Sequence, residues 1–182
     1  MRDFVTEVAK CKPNMIYITL EPEILQKIDT FTKAVIQAKE IEAHHLIDHG
    51  QEYKRFHTGL MGECALEKLF NRSFIDWSIG VSNAYNTADL KSLGYNVGVK
   101  TVEFGKFPII HKKPYRPELI CIKRNENTII LCGLATIKAL QQYQDDDLIL
   151  SPALRARGTK TGFYGFDQLI KINSLADLTM YF

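Results

Sequence analysis

Between Tyr95 and Phe104 the chain runs through a valine-rich segment bounded by Gly94 and Gly105, and the only charge between Val97 and Val102 is Lys100. Valine and aromatic residues suit a pleated, half-buried surface, so this segment is predicted to be a strand. It is apolar enough to be covered on both faces. Burying an ammonium costs several kcal/mol unless an anion lies beside it. A fold built on this strand must therefore bring a carboxylate to Lys100 from elsewhere in the chain. The alternative is an edge strand from which the lysine snorkels to water.

Two upstream carboxylates are candidates. Thr58 is predicted to start a helix that runs to about Phe70, with Gly59 and Gly62 allowing close backbone approach and Ala65, Leu66, Leu69 and Phe70 as its apolar stripe. Helical spacing puts Glu63 on or beside that stripe. A carboxylate there is either half of an ion pair, with Lys100 or Arg55, or a metal ligand or water-orienting group. Asp89 follows a polar loop, Ser82 to Thr87, and precedes Leu90. It is a turn former or a carboxylate at a strand margin that could meet Lys100 across the sheet.

The remaining pattern supplies the frame. Met15 to Leu20 is predicted to be a short strand, and Glu23 to about His49 a long amphipathic helix with Ile24, Leu25, Ile28, Phe31, Val35, Ile36 and Ile41 at helical spacing. Ser73 to Ile79 is predicted to be a strand, with another beginning near Ala88. Glu118 to Lys123 and Thr128 to Cys132 form an expected hairpin, and Thr136 to Tyr143 an expected helix. The expectation is one α/β (α+β) domain over residues 1–182 with a mixed central β-sheet flanked by helices. Residues 1–54 form its N-terminal strand and long-helix region, 55–142 its core, and 143–182 a basic loop with closing elements.

Charge and cysteines set broad limits. A formal net charge of +2 is too small to announce a nucleic-acid binder, so DNA affinity would have to come from local clusters. Two exist: Lys106, Lys112, Lys113 and Arg116, with His111 among them, and Arg155, Arg157 and Lys160 near Phe163 and Tyr164. Cys11, Cys64, Cys121 and Cys132 have no Cys-x-x-Cys spacing and no secretory leader ahead of them, so free thiols in a reducing cytoplasm are expected. No apolar run approaches the roughly 20 residues of a membrane span. His45 and His49 share a helical spacing used by zinc helices, but no Glu follows the first His, and a polar helix face is expected there. No glycine group matches a phosphate-binding loop or dinucleotide fingerprint.

Taken in order, Glu63 within Gly59-Leu60-Met61-Gly62-Glu63-Cys64-Ala65, then Asp89, then Gly98-Val99-Lys100 resemble the PD-(D/E)XK, or restriction-endonuclease-like, nuclease superfamily. Its members carry a helical glutamate, a strand aspartate and an acid-any-lysine tripeptide around a mixed sheet. The resemblance spans about residues 55–142. It implies a restriction-endonuclease-like core and a Mg²⁺-dependent deoxyribonuclease, with Mn²⁺ as a substitute, acting in restriction, recombination or phage DNA processing. Glu63, Asp89 and Lys100 would be its catalytic residues, and the same acids with the Val99 carbonyl its metal ligands. It further implies a cytoplasmic protein of a bacterium or phage-infected cell, with DNA as partner, no membrane, and a homodimer among the arrangements open to it.

One position departs from the pattern, because Gly98 stands where the tripeptide's acid belongs. Some members supply that acid from a neighbouring helix, and Glu67, one turn after Glu63, is the expected substitute. Glu103 ranks below it because strand alternation points it away from Lys100. A second registration, Asp76 with Asp89-Leu90-Lys91, restores a full tripeptide but puts Lys91 beside a turn. If nothing replaces the acid, the chain is a catalytically silent relative that binds DNA or a protein partner.

Overall fold

A computed structural model of the chain describes residues 2–40, 49–79 and 87–182. Helix α1 (Phe4–Ala9) leads into strand β1 (Ile16–Thr19) and helices α2 (Pro22–Glu40) and α3 (His49–Phe70). Strands β2 (Gly98–Glu103), β3 (Ile109–His111), β4 (Glu118–Lys123) and β5 (Thr128–Ala135) follow, then helix α4 (Ile137–Gln142). The chain closes with β6 (Gln144–Asp145), α5 (Pro152–Ala156), β7 (Lys160–Phe163) and α6 (Leu175–Leu178).

The central sheet is mixed, ordered β1-β5-β4-β2, with β2 parallel to β4 and the other neighbours antiparallel. Strand alternation divides its side chains between two cores. Leu119 and Cys121 of β4 and Ile129 and Leu131 of β5 join Leu60, Met61, Ala65 and Leu66 of α3 and Ile28 of α2. Ile120, Ile122, Ile130 and Cys132 face the other way, onto Phe4, Ile110, Phe163 and Phe166. That second core is closed by a three-stranded antiparallel sheet, β3-β7-β6.

The predicted mixed sheet, the hairpin of β4 and β5, and α4 are present. Other expectations need correction. Ser73 to Ile79 is not a strand: Phe74, Ile75 and Trp77 pack against the first core, while the Phe74 and Ile75 N–H groups donate to Glu67 Oε1 at 2.6 and 2.8 Å. No strand begins near Ala88; a turn and a single 3₁₀ turn, Lys91–Leu93, stand there. The second helix starts at His49, so Thr58 is not its cap but lies buried in its interior, donating to Glu103 at 3.0 Å. Helix α2 ends at Glu40, and the rest of the long helix expected to reach His49 lies outside the described residues. Strand β2 is the sheet's edge, paired with β4 alone, which is the alternative open to a strand that carries Lys100.

Helix α3 lies directly on β2 because glycine lets it. A Cβ on Gly62 would sit 1.8 Å from Thr101 Oγ1, far inside van der Waals contact. With Thr58 held at Glu103 and Gly62 over Thr101, α3 runs antiparallel to β2 and carries Glu63 toward the strand's N-terminal end. The helix stops at Asn71, whose φ of 50° is the left-handed conformation asparagine tolerates at a helix C-terminus.

Candidate active site at the edge of the central sheet

The first carboxylate is fixed by the free edge of β2. Gly98 N–H donates to Pro117 O on the β4 side, so the peptide groups of Val99 project to the open side. There Asp89 Oδ2 accepts the Val99 N–H at 2.5 Å. A residue's N–H and C=O leave a strand on the same edge, so the Val99 carbonyl projects beside Asp89.

Glu63 reaches this end of the strand from the α3 side. Burial pushes its carboxyl up to about 8, and the neighbouring charges of Asp89 and Glu67 push in the same direction. Its proton is therefore held in the absence of a cation. A raised carboxylate favours the folded state while protonated, so its contribution is complete below the ordinary value of 4.5 and is lost as pH rises through about 8. A divalent cation at these oxygens would take the proton's place. Mg²⁺ is accordingly expected to raise Tm at about pH 9 and to have little effect at about pH 5, as read by thermal melts. An equal effect at both would mean that the ion acts elsewhere.

The position left empty by Gly98 is filled from the next strand. Gly98 is in register with Glu118, and a Cβ on Gly98 would lie 2.1 Å from Glu118 Oε2, 2.8 Å from its Cδ and 2.9 Å from Arg116 Nε. The carboxylate of Glu118 thus occupies the space into which a side chain at position 98 would project. Glu118 is 5% exposed, and its Oε2 has no hydrogen-bond partner among the described residues. Arg116 Nε stands 3.6 Å from Oε1. Burial raises the Glu118 carboxyl, Lys100 and Arg116 lower it, and Asp89 raises it further.

Strand parity places Gly98 and Lys100 on the face opposite Val99, Thr101 and Glu103. Lys100 and Glu118 therefore share the face turned to the three-stranded sheet, while α3 and Glu63 cover the other. Asp89, at the edge, is felt electrostatically by both Glu63 and Glu118. Lys100 acts on Glu118 and is absent from the charges that perturb Glu63. The structure thus brings Asp89 within electrostatic reach of Glu63 and of Glu118 but gathers no preformed cage: among the described residues no three His, Cys, Asp or Glu side chains are grouped as a metal site.

Glu67 does not replace the missing acid in the way expected. It is near enough to raise Glu63, but its Oε1 is committed to the backbone turn after α3. Glu103 lies on the α3 face as alternation predicts, held by Thr58, Lys54 and Lys123. The residue missed in the sequence is Glu118. Its signal was a glutamate opening a strand whose next four residues are apolar, directly after Arg116-Pro117.

The expected DNA-binding cations separate into two groups. Lys106, Lys113, Arg155 and Arg157 are exposed, and Lys112 pairs with Asp146. Arg155 also donates to Ile149 O at 2.8 Å. Arg116 and Lys160, in contrast, turn inward: Arg116 is 8% exposed beside Glu118, and Lys160 is half-buried with its Nζ 2.7 Å from His111 Nε2. His44 and His45 lie outside the described residues, as does the side chain of His49. All four cysteines are buried free thiols. Among the described residues no helix is long and apolar enough to cross a membrane.

No family model, curated protein or solved structure matches the chain.

Proposed function

We propose that the chain is a Mg²⁺-dependent deoxyribonuclease whose tripeptide acid has moved from position 98 to Glu118 on the adjacent parallel strand. The observation that carries this reading is the coincidence in space of the Glu118 carboxylate with the side chain that Gly98 lacks. An unpartnered buried carboxylate oxygen beside a second acid, Asp89, is a poor arrangement for stability alone. It is a good one for a hard cation, which selects oxygen ligands.

Glu118, Asp89 and the Val99 carbonyl would hold Mg²⁺ or Mn²⁺, with Glu63 completing the set from α3. When bound, the ion polarises a phosphate oxygen and lowers the pKa of water. Asp89 is oriented for its part by the Val99 N–H, which fixes one of its oxygens and leaves the other directed elsewhere. Lys100 extends from the same face as Glu118, where its ammonium can donate to phosphoryl oxygens and stabilise charge that develops during displacement. The exposed cations Lys106, Lys113, Arg155 and Arg157 would meet the phosphate backbone, and their contribution should fall steeply with salt.

Purified protein is expected to cleave plasmid or linear DNA with Mg²⁺ or Mn²⁺, while Asp89→Ala and Lys100→Ala lose about 10²–10³-fold in rate. Gel assays with EDTA controls measure this. Absence of cleavage by the parent chain, or parental rates in both variants, would end the proposal; DNA binding without cleavage would identify a silent relative.

A further inference from the structure

Antiparallel pairing of β3 with β7 sets His111 directly opposite Lys160, and their side chains meet at 2.7 Å between Nε2 and Nζ. This is an unusual partner for a half-buried ammonium: a ring nitrogen in place of a carboxylate. The charges of Lys100 on β2 and of Arg116, just before β4, act on both members of the pair, and that of Glu118, which opens β4, acts on Lys160. The Tyr115 ring packs 5.4 Å from His111 and 5.3 Å from the Arg116 guanidinium. Asp89 acts on Glu118 from the edge of β2. Three cations and a histidine thus surround one buried carboxylate.

We propose that Lys160, His111 and Arg116 form a receptor for a terminal phosphate monoester of a DNA strand, adjoining the cleavage centre on the Lys100 face. This rests on the nuclease reading for the identity of the strand, though the receptor itself requires only an oxyanion. Cationic side chains gather about the Lys160–His111 pair, and an arriving oxyanion offers them a counter-charge. A terminal phosphate also offers three acceptor oxygens, enough for an ammonium, a guanidinium and an imidazolium together.

The electrostatic surroundings of the pair agree with this. Burial and the charges of Lys100 and Arg116 bring Lys160 down to about 8, and burial with Lys160, Lys100 and Arg116 lowers His111. An arriving dianion reverses the repulsion and draws a proton onto His111.

The test uses the full chain without metal, so that it reads the receptor whether or not DNA is cut. Inorganic phosphate titrated into the protein is expected to move the His111 titration midpoint, followed by NMR, upward by about one pH unit in a saturable way. Lys160→Met should weaken phosphate binding at least about tenfold, and Lys160→Arg, which keeps the charge, should retain most of it. In the metal-loaded enzyme, oligonucleotides bearing a 5′- or a 3′-phosphate and their unphosphorylated counterparts are then compared. One phosphorylated end should be degraded about tenfold faster or more, a preference lost in Lys160→Met. A His111 midpoint indifferent to phosphate, or phosphate binding unchanged in a folded Lys160→Met, would overturn the receptor. Phosphate binding without preference for either phosphorylated end would overturn its assignment to a strand terminus. Cleavage that fails while phosphate still binds would count against the nuclease reading alone.

Discussion

Glu118→Gln is expected to lose Mg²⁺-dependent cleavage by about 10²–10³-fold while the protein stays folded. The substitution keeps the shape and removes the anion. In the parent chain burial outweighs the attraction of Lys100 and Arg116 and raises the Glu118 carboxyl, so the charged form is less favourable in the fold than in the unfolded chain. A neutral amide should therefore match or exceed the parent in Tm. Its advantage grows as pH rises, because a raised carboxylate contributes least once it is forced to ionise. An inactive protein that melts no earlier than its parent separates a role at the site from a role in packing. Parental activity in Glu118→Gln would mean that the acid is not used.

Gly98→Ala tests the same space from the other side. Its Cβ would lie 2.1 Å from Glu118 Oε2 and 2.9 Å from Arg116 Nε, and both neighbours are buried side chains. Crowding of this kind costs about 1–3 kcal/mol, and any retreat of Glu118 takes the carboxylate out of the space beside Gly98. Denaturant melts should show the loss of stability, and cleavage assays a parallel loss of rate. Gly59→Ala is the control, because a Cβ there meets nothing within 4 Å and the residue lies within α3. It should stabilise by about 0.5–1 kcal/mol, the ordinary gain of alanine over glycine in a helix.

The central hairpin was legible because β4 and β5 are long, apolar and separated by a turn, Arg124 to Asn127, that chain order alone makes local. Strands β3, β6 and β7, of three, two and four residues, are too short to show a period, and β3 and β7 each share one end residue, His111 and Lys160, with a basic cluster. Ser73 to Ile79 carried a strand's composition without a strand's partner; Phe74, Ile75 and Trp77 are half-buried against the first core, Ile79 is exposed, and Glu67 accepts from the Phe74 and Ile75 N–H groups. The need for a carboxylate near Lys100 followed from the cost of burying its charge, and Asp89 and Glu63 were readable from their settings. Glu118 was not, because its relation to Gly98 exists only in the register of two parallel strands joined by a long connection, and register is set by packing across the sheet. The inward turn of Arg116 and Lys160 was hidden for the same reason: a loop sequence does not show which cations face a neighbouring sheet.

The most direct measurement exchanges the two positions. Gly98→Glu and Glu118→Gly singly are expected to be inactive, the first by crowding two carboxylates into one space and the second by leaving none. The double variant returns one carboxylate to that space from β2, and it should cleave DNA with Mg²⁺ within about tenfold of the parent rate. A folded double variant as inactive as its single parents, or a Glu118→Gly protein that cuts DNA at the parent rate, would contradict the account.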